Sequence, residues 1–300
     1  MIDIFIPSYK RHDNNKTVKY FKKIGWNTSK LHVVIDDECG QIDLYEEQCK
    51  KDEVNLHVVS FEEAVRRFDF VHRPNPARRA AGMFRNLFHD IAKEKGIDFF
   101  IIIDDDTTDF QFRPFGVYKR RAVFDDIKIT FDAVKEFMQR QRIGVFALSQ
   151  TGDMFARFDT RLMRKKVMNT TFYDTRFIYA GEKGIQDDDT SQFTGIMNEG
   201  YFTGSLASGL VLVQTQSAKA KGGLTDAYED LKLLSKAMIC PIQFPSAIRG
   251  ERQKMNGNRL HHRVNYRYLM PCLIKGKRDN IAWDTYPEDV PFRNDRILCK

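Results

Sequence analysis

The chain has 300 residues, 42% apolar and 30% charged, with 48 Lys and Arg against 41 Asp and Glu and a net charge of +7. A chain of this size can bury a large core without disulfide or metal staples, and its composition excludes a disordered chain. No stretch approaches the roughly eighteen apolar residues of a membrane span, and Met1 to Pro7 open directly on a strand pattern with no secretory leader, so a soluble cytoplasmic protein is expected.

Taken in order, Ile2–Ile6 predicts a short apolar strand stopped by Pro7 and Ser8. A helix is expected from Thr17 to Ile24, a strand over Leu31–Ile35, and a third strand over Leu56–Val59. Residues 76–95 predict the strongest helix. Ala80, Met83, Phe84, Leu87, Phe88, Ile91 and Ala92 form one apolar stripe at helical spacing, Pro76 suits the first turn, and Gly96 suits the stop. Phe99–Ile103 then predicts a strand apolar on both faces, as in the middle of a parallel sheet. Further on, Phe193, Ile196 and Met197 suggest a helix that follows Gln186 to Thr190 and ends at Gly200. A strand over Leu210–Val213 and a helix over Thr225–Met238 complete the pattern. Alternating strands and helices of this kind predict an α/β fold with a mostly parallel sheet flanked by helices. No linker separates domains. A main domain over 1–245 is expected, with a basic extension over 246–300 packed on it or part of it.

Ligands of open parallel sheets bind beyond the carboxyl ends of the strands. The first strand ends in Pro7-Ser8-Tyr9-Lys10-Arg11, the second in Asp36-Asp37, and the central one in Asp104-Asp105-Asp106-Thr107-Thr108. Three consecutive carboxylates after a wholly apolar strand repel one another unless a cation sits among them, and hard oxygen donors suit Mg²⁺ or Mn²⁺ shared with a phosphate. In extended backbone Asp104 and Asp106 would share a face and Asp105 would take the other. Arg78, Arg85 and His89 share a helix face, and Arg85 is placed to meet a diphosphate or to orient the acids. Asp187, Asp188 and Asp189 form a second acidic group, which suits either a helix cap or a general base.

The positive charge is uneven. Residues 249–278 carry Arg249, Arg252, Lys254, Arg259, Arg263, Arg267, Lys275, Lys277 and Arg278 against the single acid Glu251. Such a patch suits either a polyanion or a plain solvated surface. His261 and His262 lie within it, as do Tyr266 and Tyr268, which suit base stacking or packing. Five scattered cysteines without a CxxC spacing read as reduced thiols.

Together these motifs resemble the GT-A-fold glycosyltransferases that use nucleotide sugars, over about residues 1–240. The resemblance implies that Pro7, Tyr9, Arg11, Asp36, Asp37, Arg85, Asp104 and Asp105 bind the donor, with Asn86 beside Arg85 completing an Arg-Asn pair. It implies a DxD motif in which Asp106, with Asp104, ligates a Mn²⁺ or Mg²⁺ ion, and His261 or His262 as a third ligand, His262 being the preferred one. It implies a base at Asp188 or Asp189, where this chain has Asp in place of the family's Glu, with Glu229-Asp230 as a rival pair inside a helix pattern.

More narrowly, IPSYKR, DDECGQIDLY, the Arg-Asn helix and KGGLTDAY are similar to the TET-associated glycosyltransferases of tailed phages, which modify hydroxymethylated pyrimidines in DNA. That implies a nucleotide-sugar donor, a UDP-sugar foremost, and DNA as acceptor, with Arg252, Lys254, Arg259, Arg263 and Arg267 on its phosphates. Two other readings stand beside it. Ile101 to Thr108 also fits the DxDxT signature of haloacid-dehalogenase-like phosphatases, with Asp104 as nucleophile and Asp106 as acid/base. A DNA-binding protein without catalysis is the third, and the acidic clusters oppose it.

Overall fold

The computed structural model describes residues 1–67, 81–113, 120–141, 143–148, 162–163, 170–176, 188–198, 203–206, 211–216, 237–253, 259–265 and 268. The first part of the chain runs β1 (Asp3–Pro7), α1 (Lys16–Lys23), β2 (Leu31–Asp36), α2 (Ile42–Asp52), β3 (Asn55–Val59), α3 (Phe61–Arg67), α4 (Ala81–Glu94) and β4 (Phe99–Ile102). There follow β5 (Thr107–Arg113), β6 (Arg120–Arg121), α5 (Phe124–Gln141), β7 (Val145–Ala147), β8 (Leu162–Met163) and β9 (Thr171–Asp174). Last come α6 (Asp188–Asn198), β10 (Thr203–Leu206), β11 (Val211–Gln216), β12 (Ile248–Gln253) and β13 (Arg259–Val264).

Eight strands form the main sheet in the order β3-β2-β1-β4-β9-β7-β10-β8. The pairs β2–β3, β1–β2, β1–β4 and β7–β10 are parallel, whereas β9 runs against both β4 and β7, and β8 against β10. This is the expected α/β architecture of a GT-A-like fold. The expected strands and first helix lie within a residue or two of β1, α1, β2, β3 and β4. For the helix expected over 76–95, residues 81–94 are helical and 76–80 lie outside the described residues. Of the one expected over Thr225–Met238, only the last two residues are described, at the start of a helical run over 237–243.

Alternation along β1 sends its side chains into two cores. Ile4 and Ile6 pack with Val18 and Phe21 of α1, Tyr45 of α2 and Phe131 of α5. Phe5 turns the other way, toward Ala64 of α3, Phe88 of α4 and Phe193 of α6. Each such aromatic, buried completely, contributes about 1.5–3 kcal/mol. Helix α5 is absent from the expected elements, although its buried residues Ile127, Phe131, Val134 and Met138 have helical spacing. The strand expected near residue 210 is β11, and it lies outside the main sheet, in a three-stranded sheet ordered β11-β5-β6.

The hairpin β12–β13 is antiparallel, and Ala247 and Ile248 at its start belong to the second core together with Phe193 and Ile196 of α6. The start of the basic segment is therefore built into the body of the fold. Cys39, Cys49 and Cys240 are buried free thiols. No helix among the described residues is long and apolar enough to cross a membrane.

Candidate active site

The acidic turn begins where β4 stops. β4 ends at Ile102, and Asp105 and Asp106 lie in a turn. The expected two-faced alternation therefore does not apply. Each carboxylate has its own environment instead. Asp104 pairs with Arg85 of α4, its side chain 26% exposed. Asp105 is buried, with Oδ1 paired to Arg11 and Oδ2 accepting the Ser8 hydroxyl at 2.8 Å. Burial pushes the Asp105 carboxyl upward, and Arg11 and Ser8 act against that push. Asp106 is half-buried, and its Oδ1 is sealed from solvent with no hydrogen-bond partner. Burial, then the neighbouring Asp104 and Asp105, raise its pKa to about 7.

The backbone of the turn is held by the start of α1. The N–H groups of Lys16 and Thr17 donate to the Asp105 carbonyl at 2.9 and 3.3 Å. The fully buried Thr17 hydroxyl donates to the Asp104 carbonyl and accepts the Thr107 N–H at 3.1 Å. Orphan N–H groups of a helix start are thereby satisfied by the acidic turn, and the turn is fixed by the helix. The Asn15 side chain completes the cap by accepting from Val18 N–H at 3.0 Å.

The segment after β1 faces this turn. Pro7 is the last residue of β1, and Arg11 is 8% exposed because its guanidinium reaches Asp105. Lys10 lies in the left-handed region at φ 54°, which costs about 1–3 kcal/mol for a residue other than glycine. Its ammonium sits 4.9 Å from the centroid of the half-buried Tyr9 ring.

At the end of β2, Asp36 is buried and accepts the Glu38 N–H at 3.1 Å. Exposed Asp37 accepts the Phe61 N–H at 2.8 Å and so caps α3. His12 Nδ1 lies 3.4 Å from Gln41 Oε1, linking the loops that follow β1 and β2. His89, expected on the Arg85 face, is buried and meets the Thr175 carbonyl at 3.1 Å, away from the acids. Arg78 lies outside the described residues.

Asp188 and Asp189 open α6, as expected. Asp189 Oδ1 accepts the Thr190 N–H at 2.8 Å. His262 of β13 is buried, with Nε2 3.5 Å from the Thr190 hydroxyl, so the hairpin touches the head of α6. Among the described residues no three His, Cys, Asp or Glu side chains form a ready-made metal cluster.

The hairpin's cross-strand register sorts its side chains. Ile248, Gly250 and Arg252 pair with Val264, His262 and Leu260, while Arg249 pairs with Arg263 and Glu251 with His261. Ile248 and His262 turn inward, and Arg249 and Arg263 are exposed on the other side, both bound to Glu251. Arg252 is exposed near the tip. Arg259 lies on β13, opposite Gln253, and Lys254 and Arg267 lie outside the described residues, as do Glu229 and Asp230.

Sequence reasoning gave no role to Tyr45 or Thr17, both of which touch the site's framework. The available signal was the four-residue, one-turn spacing of Tyr45 and Cys49, the buried residues of α2. Among comparisons with known proteins, no protein of curated function matches the chain. A model of the TET-associated glycosyltransferase family matches residues 2–218, which include β1, α4, the acidic turn and α6. That match favours sugar transfer over the phosphatase alternative, as does the position of the acidic turn on the fourth strand of the chain rather than the first. With most of its length matched and an α/β sheet that gathers Arg11, Arg85 and three aspartates at one strand end, the chain belongs to the TET-associated glycosyltransferase family.

Proposed function

We propose that this glycosyltransferase moves a sugar from a nucleotide sugar, a UDP-sugar foremost, to the hydroxyl of a hydroxymethylated pyrimidine in DNA, with Mn²⁺ or Mg²⁺ held at the DxD turn. The observation that carries the reading is Asp106, a half-buried carboxylate whose Oδ1 has no hydrogen-bond partner and whose pKa is raised to about 7. A buried acid without a partner is costly unless function requires it, and all-oxygen donors fit a hard divalent cation. Asp106 and Asp104 would hold the ion, and its remaining ligands would come from the donor diphosphate and water. When bound, the ion neutralises charge that develops on the departing nucleoside diphosphate.

The chain's own residues supply the rest. Arg85 brings a guanidinium beside Asp104, where a diphosphate oxygen needs a planar pair of donors. The donor's nucleoside would lie at the ends of β1 and β2, where Tyr9 is half-buried and Asp37 exposed, while Arg11 and Asp36 are buried and would shape the site from within. In an inverting transfer, Asp188 or Asp189 accepts the proton of the acceptor hydroxyl as its oxygen attacks the anomeric carbon and the C–O bond to the diphosphate breaks. His262, expected as a third metal ligand, meets the Thr190 hydroxyl at the head of α6 instead and forms no three-residue metal cluster with Asp104 and Asp106. The exposed arginines of the β12–β13 hairpin support a phosphate-binding surface for the acceptor.

The test is a thermal-shift panel of nucleoside diphosphates with and without Mn²⁺, followed by transfer assays on hydroxymethylated and unmodified DNA. Metal-dependent stabilisation by one diphosphate and transfer only to hydroxymethylated DNA are expected. Transfer undiminished under chelator refutes the metal assignment, and transfer to glycans but not DNA refutes the acceptor.

A further inference from the structure

Tyr45 lies on α2, and its ring is 1% exposed in the first core. Its hydroxyl is nevertheless not buried among apolar atoms. It accepts the Arg11 backbone N–H at 2.9 Å and lies 2.9 Å from the Ser8 hydroxyl. Ser8 gives its single proton to Asp105 Oδ2 at 2.8 Å, so Tyr45 is the donor to Ser8. The Arg11 guanidinium closes the loop on Asp105 Oδ1. A hydrogen-bond circuit thus runs from the Arg11 backbone through Tyr45, Ser8 and Asp105 and back to the Arg11 side chain. Burial raises the Tyr45 pKa to about 12, which keeps the phenol protonated and able to donate.

The circuit ties three elements whose order in sequence is remote: the turn after β1, the acidic turn after β4, and α2 behind them. It also encloses Lys10, which holds a left-handed backbone that an unrestrained lysine would leave. Such strain persists only where surroundings over-determine it. Ser8 and Arg11, on either side of Lys10, are the residues that Tyr45 holds.

We infer that Tyr45 is a positioning residue for the donor nucleotide: its hydroxyl fixes the turn over Ser8–Arg11 in the shape that receives a nucleoside diphosphate, without touching the ligand itself. The inference rests on the donor site proposed above. A preformed turn binds ligand without first being ordered, so removing the hydroxyl acts on donor affinity more than on turnover.

The experiment compares wild type with Tyr45→Phe, which keeps the ring and removes only the hydroxyl. Calorimetry with uridine, cytidine, adenosine and guanosine diphosphates and Mn²⁺ gives affinity, steady-state assays with the matching donor give KM and kcat, and thermal unfolding reports the folded fraction. For Tyr45→Phe the donor KM and diphosphate Kd are expected to rise about tenfold with kcat within about twofold. Ser8→Ala, which breaks the same circuit from the other side, is expected to match it and stands in if Tyr45→Phe does not fold. Unchanged Kd and KM in a folded variant overturn the inference, as does a fall in kcat with KM unchanged. Wild type that binds none of the four common nucleoside diphosphates sinks the donor-site reading and the inference with it. Binding by wild type and both variants alike sinks the inference alone.

Discussion

Arg85 and Asp104 form an ion pair between the middle of α4 and the carboxyl end of β4, with side chains only 16% and 26% exposed. The pair sets a cation donor beside three acids in succession. It also directs part of the Arg85 charge to the protein itself, so a diphosphate bound there as proposed would share that guanidinium with Asp104.

Arg85→Ala is expected to lower diphosphate affinity at least tenfold, and Arg85→Lys to recover only part of it, because an ammonium cannot bond two oxygens in one plane. Calorimetry with Mn²⁺ and the diphosphate measures both. Equal affinity in all three proteins would remove Arg85 from the site.

Asp106→Asn is expected to stabilise the metal-free protein by about 1–2 kcal/mol, because it removes a half-buried charge with an unbonded oxygen. The same variant should lose the rise in Tm that Mn²⁺ gives the wild type. Paired melting curves with and without Mn²⁺ check both halves. A lower metal-free Tm would mean that the carboxylate is structural.

Thr17→Val keeps shape but removes the hydroxyl that bridges the Asp104 carbonyl and the Thr107 N–H. A loss of about 1–3 kcal/mol is expected, since the Thr107 N–H is left buried without that partner. Chemical denaturation measures it.

His57 supplies a pH dependence remote from the acids. Burial, then the charges of His32 and Lys95, lower its pKa from 6.5 to about 4. Between those values the unfolded chain binds a proton that the folded protein refuses, so stability rises with pH across this window and falls on acidification. The expected loss from pH 7 to pH 4 through this group is about 2 kcal/mol after allowance for its partial exposure. His57→Asn should flatten that part of the profile, as read from denaturation midpoints at each pH.

Arg249→Ala with Arg263→Ala removes two exposed cations from the hairpin and leaves its inward face intact. DNA affinity should fall, and the slope of log affinity against log salt should shrink by about 2. Because Glu251 already binds both arginines, Glu251→Gln should act in the opposite direction. Binding insensitive to all three changes would place the acceptor elsewhere.

Local sequence was a good guide where one face of an element decides its fate. β1, β2, β3 and β4 are apolar runs stopped by polar residues, and α4 carries an apolar stripe that must be buried, so their positions could be read directly. The acidic turn was legible because three carboxylates in a row after a buried strand have few solvated explanations. Less legible were β7, β9 and β10, which are only three or four residues each. Their place between β4 and β8 comes from pairing partners far away in the chain.

The chain's sequence alone determined the class of fold, the chemistry at the strand ends and the charge of the hairpin, because side-chain type and spacing are local properties. Only the tertiary structure decided which acid does what. Asp104, Asp105 and Asp106 are consecutive and chemically identical, yet one meets Arg85, one is locked by Arg11 and Ser8, and one has a buried oxygen without a hydrogen-bond partner. That difference arises from α4, β1 and α1 converging on one turn, and contacts between segments so distant in the chain leave no periodic trace in it.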